Sequence, residues 1–108
     1  MLQAFVTPRA RADVSSITRW IRVTRQSPDG ATTWSLAFRE AVRRVQVNPE
    51  IHSVVSEHEL QDLGIQQISF KTRQGKRYRV IFIIENNVVQ VLRVRGPGQP
   101  PLSKDEVT

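Results

Sequence analysis

The residues best suited to chemistry in this 108-residue chain are basic, and many of them lie toward its C-terminal end. Residues 67–95 carry seven Lys and Arg side chains against one acid, Glu85. The basic residues of this block are Lys71, Arg73, Lys76, Arg77, Arg79, Arg93 and Arg95. Guanidinium and ammonium groups bind phosphate oxygens and stabilise negative charge that develops on them. With a net charge of +6 over the whole chain, this basic block favours a polyanionic or acidic partner.

Arg79 differs from the other basic residues because it lies inside an otherwise apolar run that ends at Glu85. An arginine in such a strand must either lose its water at a cost or reach a partner. We therefore predict that Arg79 either acts on a bound ligand or pairs with an acid. The candidate acids are Glu85 and those of residues 48–66, which hold four acidic residues and no Lys or Arg.

Several other kinds of reactive site find little support. The chain has no cysteine, which excludes thiol nucleophiles, disulfides and cysteine-ligated metals. His52 and His58 are six residues apart, with Glu57 and Glu59 on either side of His58, but this spacing is not that of a His-Glu-x-x-His zinc helix, so we expect no metal and no other cofactor. Trp20 and Trp34 are expected to be packing contacts of two facing helices rather than stacking platforms for bases.

Composition and hydropathy predict one cytoplasmic domain. The chain is 39% hydrophobic and 24% charged, which is typical of a globular protein of this length. No apolar run approaches the roughly 18 to 20 residues that span a bilayer, so we expect no membrane contact. The domain is predicted to occupy residues 1–95 and to be followed by a Pro-rich, weakly structured tail, residues 96–108.

A short strand and a helical hairpin are predicted in the N-terminal half. Thr7-Pro8 and Ser27-Pro28 each combine a capping side chain with a proline that fits the first helical turn. The first helix runs to about Arg25, and the second ends at Asn48-Pro49, because the residue before a proline avoids the helical region. The apolar stripe of the first helix is Ala10, Val14, Ile17 and Ile21. The apolar stripe of the second is Trp34, Phe38, Ala41, Val42 and Val45.

Three antiparallel strands are predicted in the C-terminal half. They follow an acidic connection, residues 49–64, which has no clean period and room for one short helical turn. Ile68 and Phe70 alternate with polar residues, as in a strand with one wet face. Asn86-Asn87 separates two β-branched runs and favours a two-residue hairpin turn. With the N-terminal strand, this meander forms one small, mostly antiparallel sheet in an α+β fold.

A two-residue turn pairs Glu85 with Val88 and thereby fixes which side chains share a face. One face is predicted to receive the helices, and it carries Tyr78, Val80, Phe82, Ile84, Val89, Val91 and Arg93. The other face carries Arg79, Ile81, Ile83, Leu92 and Val94. Ile81 and Ile83 are therefore expected to be exposed, and an exposed apolar patch beside arginines indicates an interface.

The order of the elements and several local motifs together resemble the RelE/ParE superfamily of type II toxin-antitoxin toxins, over about residues 3 to 95. Each motif alone is weak, and their order and spacing give the match its weight. In the first helix the matching residues are Ala12, Asp13, Ile17 and Trp20. In the second they are Ser27-Pro28, Ala31, Trp34 to Phe38 and Asn48-Pro49. In the sheet the match is Tyr78-Arg79-Val80-Ile81-Phe82.

This resemblance implies a small growth-arresting toxin that a cognate antitoxin holds inactive and that meets operator DNA only through the antitoxin complex. RelE-like members cut mRNA in the ribosomal A site, whereas ParE-like members poison DNA gyrase without cutting anything themselves. The basic strands favour a ribosome-associated, metal-independent mRNA endonuclease. The alternatives are a non-enzymatic gyrase inhibitor and a member that only binds antitoxin or nucleic acid.

The nuclease hypothesis assigns roles by resemblance. Arg79, Lys71 and Arg73 are implied to be the catalytic cations, and Ile81 and Ile83 are assigned to antitoxin binding. The implied RNA-binding residues are Lys76, Arg77, Arg93 and Arg95. In-line attack by a 2′-OH also needs a general base and a general acid. RelE-like enzymes often supply these from a Tyr or His near the C-terminus, whereas residues 96–108 contain neither. The long helical hairpin is more similar to ParE.

Overall fold

The computed structural model describes residues 1–50, 53–72 and 76–108 of the chain. Its strands form one sheet in the order β1-β5-β4-β3-β2. β1 is parallel to β5, and the other neighbouring strands are antiparallel. The elements in chain order are β1 (Gln3–Val6), α1 (Pro8–Arg19), a π-helical turn (Trp20–Thr24), α2 (Pro28–Val47), β2 (Ser53–Val54), α3 (His58–Gln61), β3 (Gln66–Lys71), β4 (Arg77–Glu85), β5 (Val88–Arg95) and a 3-10 turn (Lys104–Glu106).

The α+β class is confirmed, but the predicted strand count is wrong. Within the described residues the sheet has five strands, because β2 adds a short edge strand beside β3. β2 lies in the acidic connection, where the sequence predicts a single helical turn, and that turn is α3. A strand of two residues is too short to produce an alternating pattern that sequence analysis can detect.

The predicted helix starts and the helix end at Asn48 are confirmed. The Thr7 side chain accepts a hydrogen bond from the Ala10 amide at 3.3 Å, and Ser27 Oγ accepts one from the Gly30 amide at 3.1 Å. These caps satisfy amides that have no partner within the helix. The last helical residue of α2 is Val47, and Asn48 follows it as the C-cap.

The main core lies between the helices and one face of the sheet. The predicted stripe of α2 is buried throughout, and four aromatic rings meet beneath it. Trp34 stacks on Phe38 with ring centroids 5.7 Å apart and meets Tyr78 edge-on at 5.5 Å. Phe70 lies 5.7 Å from Tyr78. Ala10 and Ile21 of the first helical stripe are also buried in this cluster, and Val14 and Ile17 pack against it.

The β4–β5 hairpin has the predicted turn but an unpredicted bulge. Glu85 pairs with Val88 as expected, but the register shifts between Ile81 and Phe82. Phe82 faces Val91 while Ile81 faces Arg93, so β5 has one extra residue, Leu92. An extra residue in one strand moves the side chain of each later residue to the face of the sheet opposite to the one predicted.

For two residues beyond the bulge, the predicted face of the sheet is therefore wrong. Arg93 lies opposite Ile81 in the ladder and outside the main core, and its guanidinium donates to Asp13 of α1. Val94, which the sequence places on the opposite face, is buried in the main core instead. The bulge thus moves a charged residue out of the core and a valine into it, which is the energetically favourable arrangement.

The turn gives a first testable prediction. Asn86 and Asn87 have φ values of 53° and 64°, a left-handed conformation that β-carbon-bearing residues other than Asn and Asp rarely adopt. We expect Asn87→Ala to lower the free energy of unfolding by about 1 kcal/mol and Asn87→Gly to leave it equal or higher. Urea unfolding measures both variants. Equal stability of the two would contradict the proposed backbone strain.

A second apolar cluster covers the other face of the sheet, and it overturns two expectations. Ile81 is 0% exposed rather than solvent-facing. Leu102 and Val107 are buried with it, so residues 96–108 are not a weakly structured tail but pack on the sheet. The cluster consists of Val55, Leu60, Ile65, Ile81, Leu102 and Val107, with Ile83 and Leu92 packed against it. A boundary at residue 95 remains a prediction.

Candidate functional site

Arg79, the residue ranked first as a catalytic cation, is held in an intramolecular ion pair. Its Nη1 and Nη2 donate to the two carboxylate oxygens of Glu57, each at 2.8 Å. Nη1 also donates to Gln67 Oε1 at 2.8 Å and to Ser56 Oγ at 3.2 Å. The alternative that Arg79 pairs with an acid of the acidic connection is confirmed. Its proposed catalytic role remains a prediction. The guanidinium already donates hydrogen bonds to three other residues of the protein.

Glu57 is the centre of this network. Its side chain is 7% exposed, and besides Arg79 it accepts hydrogen bonds from Ser56 Oγ at 3.0 Å and from the Leu102 amide at 2.8 Å. The Arg79 hydrogen bonds, aided by those of Leu102 and Ser56, outweigh burial and lower the pKa of Glu57 from its ordinary value near 4.5 to about 2. One carboxylate thus ties β4, the acidic connection and the C-terminal segment together.

The lowered pKa predicts an acid-sensitive fold. Because the folded pKa lies below the unfolded one, the stabilisation is complete above pH 4.5 and is lost as the pH falls toward 2. The amount is about 3 kcal/mol at 1.36 kcal/mol per pKa unit. Carbon-13 NMR of the Glu57 carboxyl should give a midpoint near pH 2. A midpoint near 4.5 for Glu57 would contradict the prediction.

Arg93 and Arg95, both assigned to RNA binding, are also engaged within the protein. Arg93 Nε and Nη2 donate to the Asp13 carboxylate at 2.8 and 3.0 Å, and the same carboxylate accepts the Val94 amide at 2.9 Å. The Asp13 hydrogen bonds raise the pKa of Arg93. Arg95 is 7% exposed and donates to the Pro100 carbonyl. The C-terminal segment folds back over Arg95, and the assignment of this residue to RNA binding remains a prediction.

Three of the other basic site residues are open to solvent. Lys71, Lys76 and Arg77 are exposed, and no ion pair to another described residue involves them. Lys71 and Arg77 lie opposite each other in the β3–β4 ladder. Arg73 lies outside the described residues. Lys71 and the ion-paired Arg79 lie on the same face of the sheet, because Lys71 is two residues along β3 from Ser69, the residue opposite Arg79.

A cavity of about 260 Å³ lies between the start of α2 and the adjoining ends of α1, β3 and β4. Arg25, Lys76 and Tyr78 are among its lining residues. Trp20, which is 43% exposed, has the Arg25 guanidinium 5.8 Å and the Lys76 ammonium 5.6 Å from its ring centroid. The expected packing contact is confirmed for Trp34, which is 1% exposed in the main core, whereas for Trp20 a contact within the helical hairpin remains a prediction.

Sequence reasoning missed Glu57 and this cavity. Glu57 carried a signal only as one of four acids in the connection, where nothing singles it out as the partner of Arg79. Arg25 and Tyr78 are far apart in the chain, and no local motif joins them. The one available clue was a tryptophan outside the helical stripe with arginines near it.

Two further properties of the described residues are clear. No cluster of three or more His, Asp or Glu side chains is placed to hold a metal ion in residues 1–50, 53–72 and 76–108. His52, one of the two histidines considered as ligands, is outside those ranges. Within the same part of the chain, every helix is too short or too polar to cross a bilayer.

Comparison with known proteins agrees with the fold. None of the curated protein sequences matches the chain. Among solved structures, the "Chromosomal ParDE TA system from P. aeruginosa" is similar, with 17% identity, a TM-score of 0.65 and coverage of 89% of this chain and 96% of that one. The sequence model of the family described as "ParE toxin of type II toxin-antitoxin system, parDE" matches residues 4–99. This match spans most of the chain, which therefore belongs to the ParE toxin family of type II toxin-antitoxin systems.

Proposed function

We propose that this chain is the toxin of a two-protein module, is neutralised by a cognate antitoxin, and stops growth by inhibiting DNA gyrase rather than by cutting mRNA. The family match supports the toxin assignment. ParE-like members of the superfamily act on gyrase without catalysing a reaction themselves. The proposal thus takes the alternative to the mRNA endonuclease that the basic strands favoured.

The observation that carries this choice is the pairing of the strand arginines. A nuclease needs cations that are free to meet the charge developing on phosphate. Here the Arg79 guanidinium is bound by Glu57 and Gln67, and that of Arg93 is bound by Asp13. Removing Arg79 from Glu57 would leave a buried carboxylate uncompensated, at a cost of several kcal/mol. Such a network supports a stable scaffold better than an open phosphate site.

The position of the single tyrosine supports the same choice. Tyr78 and Arg79 are neighbours in β4, so their side chains point to opposite faces of the sheet. Tyr78 is buried among the aromatic rings of the main core, away from the Arg79 network. Since residues 96–108 contain no Tyr or His, a proton donor beside Arg79 lacks a source in either place.

The antitoxin contact proposed for Ile81 and Ile83 needs revision, because the two residues differ in exposure. Ile83 is partly exposed, whereas Ile81 lies beneath Leu102 and Val107. An antitoxin segment that binds this face reaches Ile83 directly and reaches Ile81 only when the C-terminal segment moves away. We therefore keep Ile83 as the accessible antitoxin contact on this face.

Induced expression in a bacterial host tests the proposal. DNA and protein synthesis are followed separately by pulse labelling within minutes of induction, and a gene with an early stop codon serves as control. We expect DNA synthesis to stop first, with an SOS response. The purified chain should also block supercoiling of relaxed plasmid by gyrase. An early stop in translation with cut transcripts would overturn the proposal in favour of the nuclease.

A further inference from the structure

The cavity beside Trp20 has the composition of an anion-binding site that neither the family nor the proposed function explains. Two cations, Arg25 and Lys76, line it together with hydroxyl groups from Tyr78, Thr33 and Thr72. The opposing charge is a single carboxylate, Asp29, and no ion pair among the described residues joins it to either cation. The lining therefore has an excess of positive charge and of hydrogen-bond donors.

The Tyr78 hydroxyl is the most informative group in the cavity. Tyr78 is 7% exposed because its ring lies in the main core, while its hydroxyl remains accessible to solvent where the residue lines the cavity. Its ring is fixed by Trp34 and Phe70, and a β-carbon at Gly96 would come within 3.0 Å of Tyr78 Cε2. Burial raises the pKa of Tyr78, so the hydroxyl keeps its proton and can donate it to a ligand oxygen.

Trp20 explains why the two cations stay at this cavity. The Arg25 and Lys76 charges both lie within 6 Å of the same indole ring, at 5.8 and 5.6 Å from its centroid. Such cation–π contacts stabilise an exposed pair by about 0.5–1 kcal/mol each. The ring therefore contacts both a residue after α1 and a residue before β4. An exposed tryptophan in this position acts as a positioning residue for two cations rather than as a core residue.

We propose that this cavity binds the phosphate group of a phosphomonoester, with Arg25, Lys76 and the Tyr78 hydroxyl as donors and Trp20 holding the two cations in place. A phosphate has several strong acceptor oxygens in a tetrahedral arrangement. A guanidinium, an ammonium and a phenol approaching from three elements match that shape better than they match a flat carboxylate. The site lies on the helix-covered side of the sheet, opposite Arg79, and is independent of the gyrase proposal.

The test is a titration of the purified full chain, followed by its tryptophan fluorescence at constant ionic strength. Inorganic phosphate, adenosine 5′-monophosphate and O-phosphoserine are the three probes. Saturable binding of any of them is expected, and the tightest of the three identifies the source of the phosphate. Tyr78→Phe, which removes only the hydroxyl, should weaken binding about tenfold, the loss of one hydrogen bond to a charged group.

Matched lysine variants separate a local site from the general positive field of the protein. Lys76→Gln should weaken binding about tenfold, whereas Lys104→Gln, which removes the same charge from an exposed residue outside the cavity, should leave the affinity unchanged. Thermal unfolding without ligand checks that each variant is folded. Absence of saturable binding for all three probes, or equal weakening by the two lysine variants, would overturn the proposal.

Discussion

Glu57→Gln is expected to lower the free energy of unfolding by about 3 kcal/mol at neutral pH. The change keeps the size of the side chain but removes the charge that the Arg79 guanidinium faces at 2.8 Å. Whichever oxygen becomes a donor, it meets an Arg79 N–H donor to donor, because both oxygens accept from that guanidinium. The cost is large because a partly buried cation then has no anion. Urea unfolding at pH 7 measures it.

Glu85→Gln is the matched control for this prediction. Glu85 is exposed at the end of β4, and it was the other acid considered as a partner for Arg79. Its replacement should change the free energy of unfolding by less than about 0.5 kcal/mol. In a double-mutant cycle, Arg79→Met should cost less in the Glu57→Gln background than in the native chain, because the two groups interact directly. Additive effects would show that the ion pair contributes nothing.

Removal of residues 100–108 is expected to have the second large effect. Truncation after Gln99 takes away Leu102 and Val107, and it uncovers Ile81 on the sheet. Loss of these two buried apolar side chains alone costs about 3 to 6 kcal/mol. The Leu102 amide bond to Glu57 and the Pro100 carbonyl bond to Arg95 are lost as well. Since a domain of this size has about 5–15 kcal/mol of stability, much of the truncated chain should unfold.

Point variants keep this prediction measurable if the truncated chain does not fold. Leu102→Ala should cost about 2–5 kcal/mol, as for other fully buried leucines. Lys104→Ala, two residues along the same segment, is exposed and should change stability by less than about 0.5 kcal/mol. Both are followed by urea unfolding with the native chain as reference. A truncated chain that unfolds at the native midpoint would mean that the segment contributes no stability.

The helices were the best-predicted part of the fold, and the reason is that their signals are local. Thr7-Pro8 and Ser27-Pro28 start α1 and α2 through contacts within three or four residues. The apolar stripe of α2 also repeats within the element itself. Such features depend on a few neighbouring residues, so sequence alone is enough to place them.

For β5, the predicted faces of the side chains were correct only between the turn and the bulge, and the reason is again whether the signal is local. The Asn86-Asn87 turn fixes the pairing near the hairpin end, and the register there is as predicted. Leu92, the extra residue, is chosen by the tertiary contacts of Arg93 and Val94 rather than by a local motif. A single inserted residue reverses all later side chains, so one missed bulge misplaces every residue beyond it.

The candidate sites were the least predictable because they join distant parts of the chain. Arg79 was recognised as needing a partner, but any acid of the connection could serve, and only the fold selects Glu57. The phosphate cavity likewise brings Arg25 to Lys76 and Tyr78 from separate elements. The pairing of such residues depends on topology, which residue types and spacing do not encode.

The parallel pairing of β1 with β5 has a consequence for how the protein is made. Gln3 pairs with Val88, so the first strand synthesised has no partner until the last strand exists. Contacts between such distant residues form slowly, because a long loop must close before they stabilise anything. During translation, β1 must wait while the ribosome makes β5. A nascent chain therefore stays without its finished sheet until synthesis has passed residue 95.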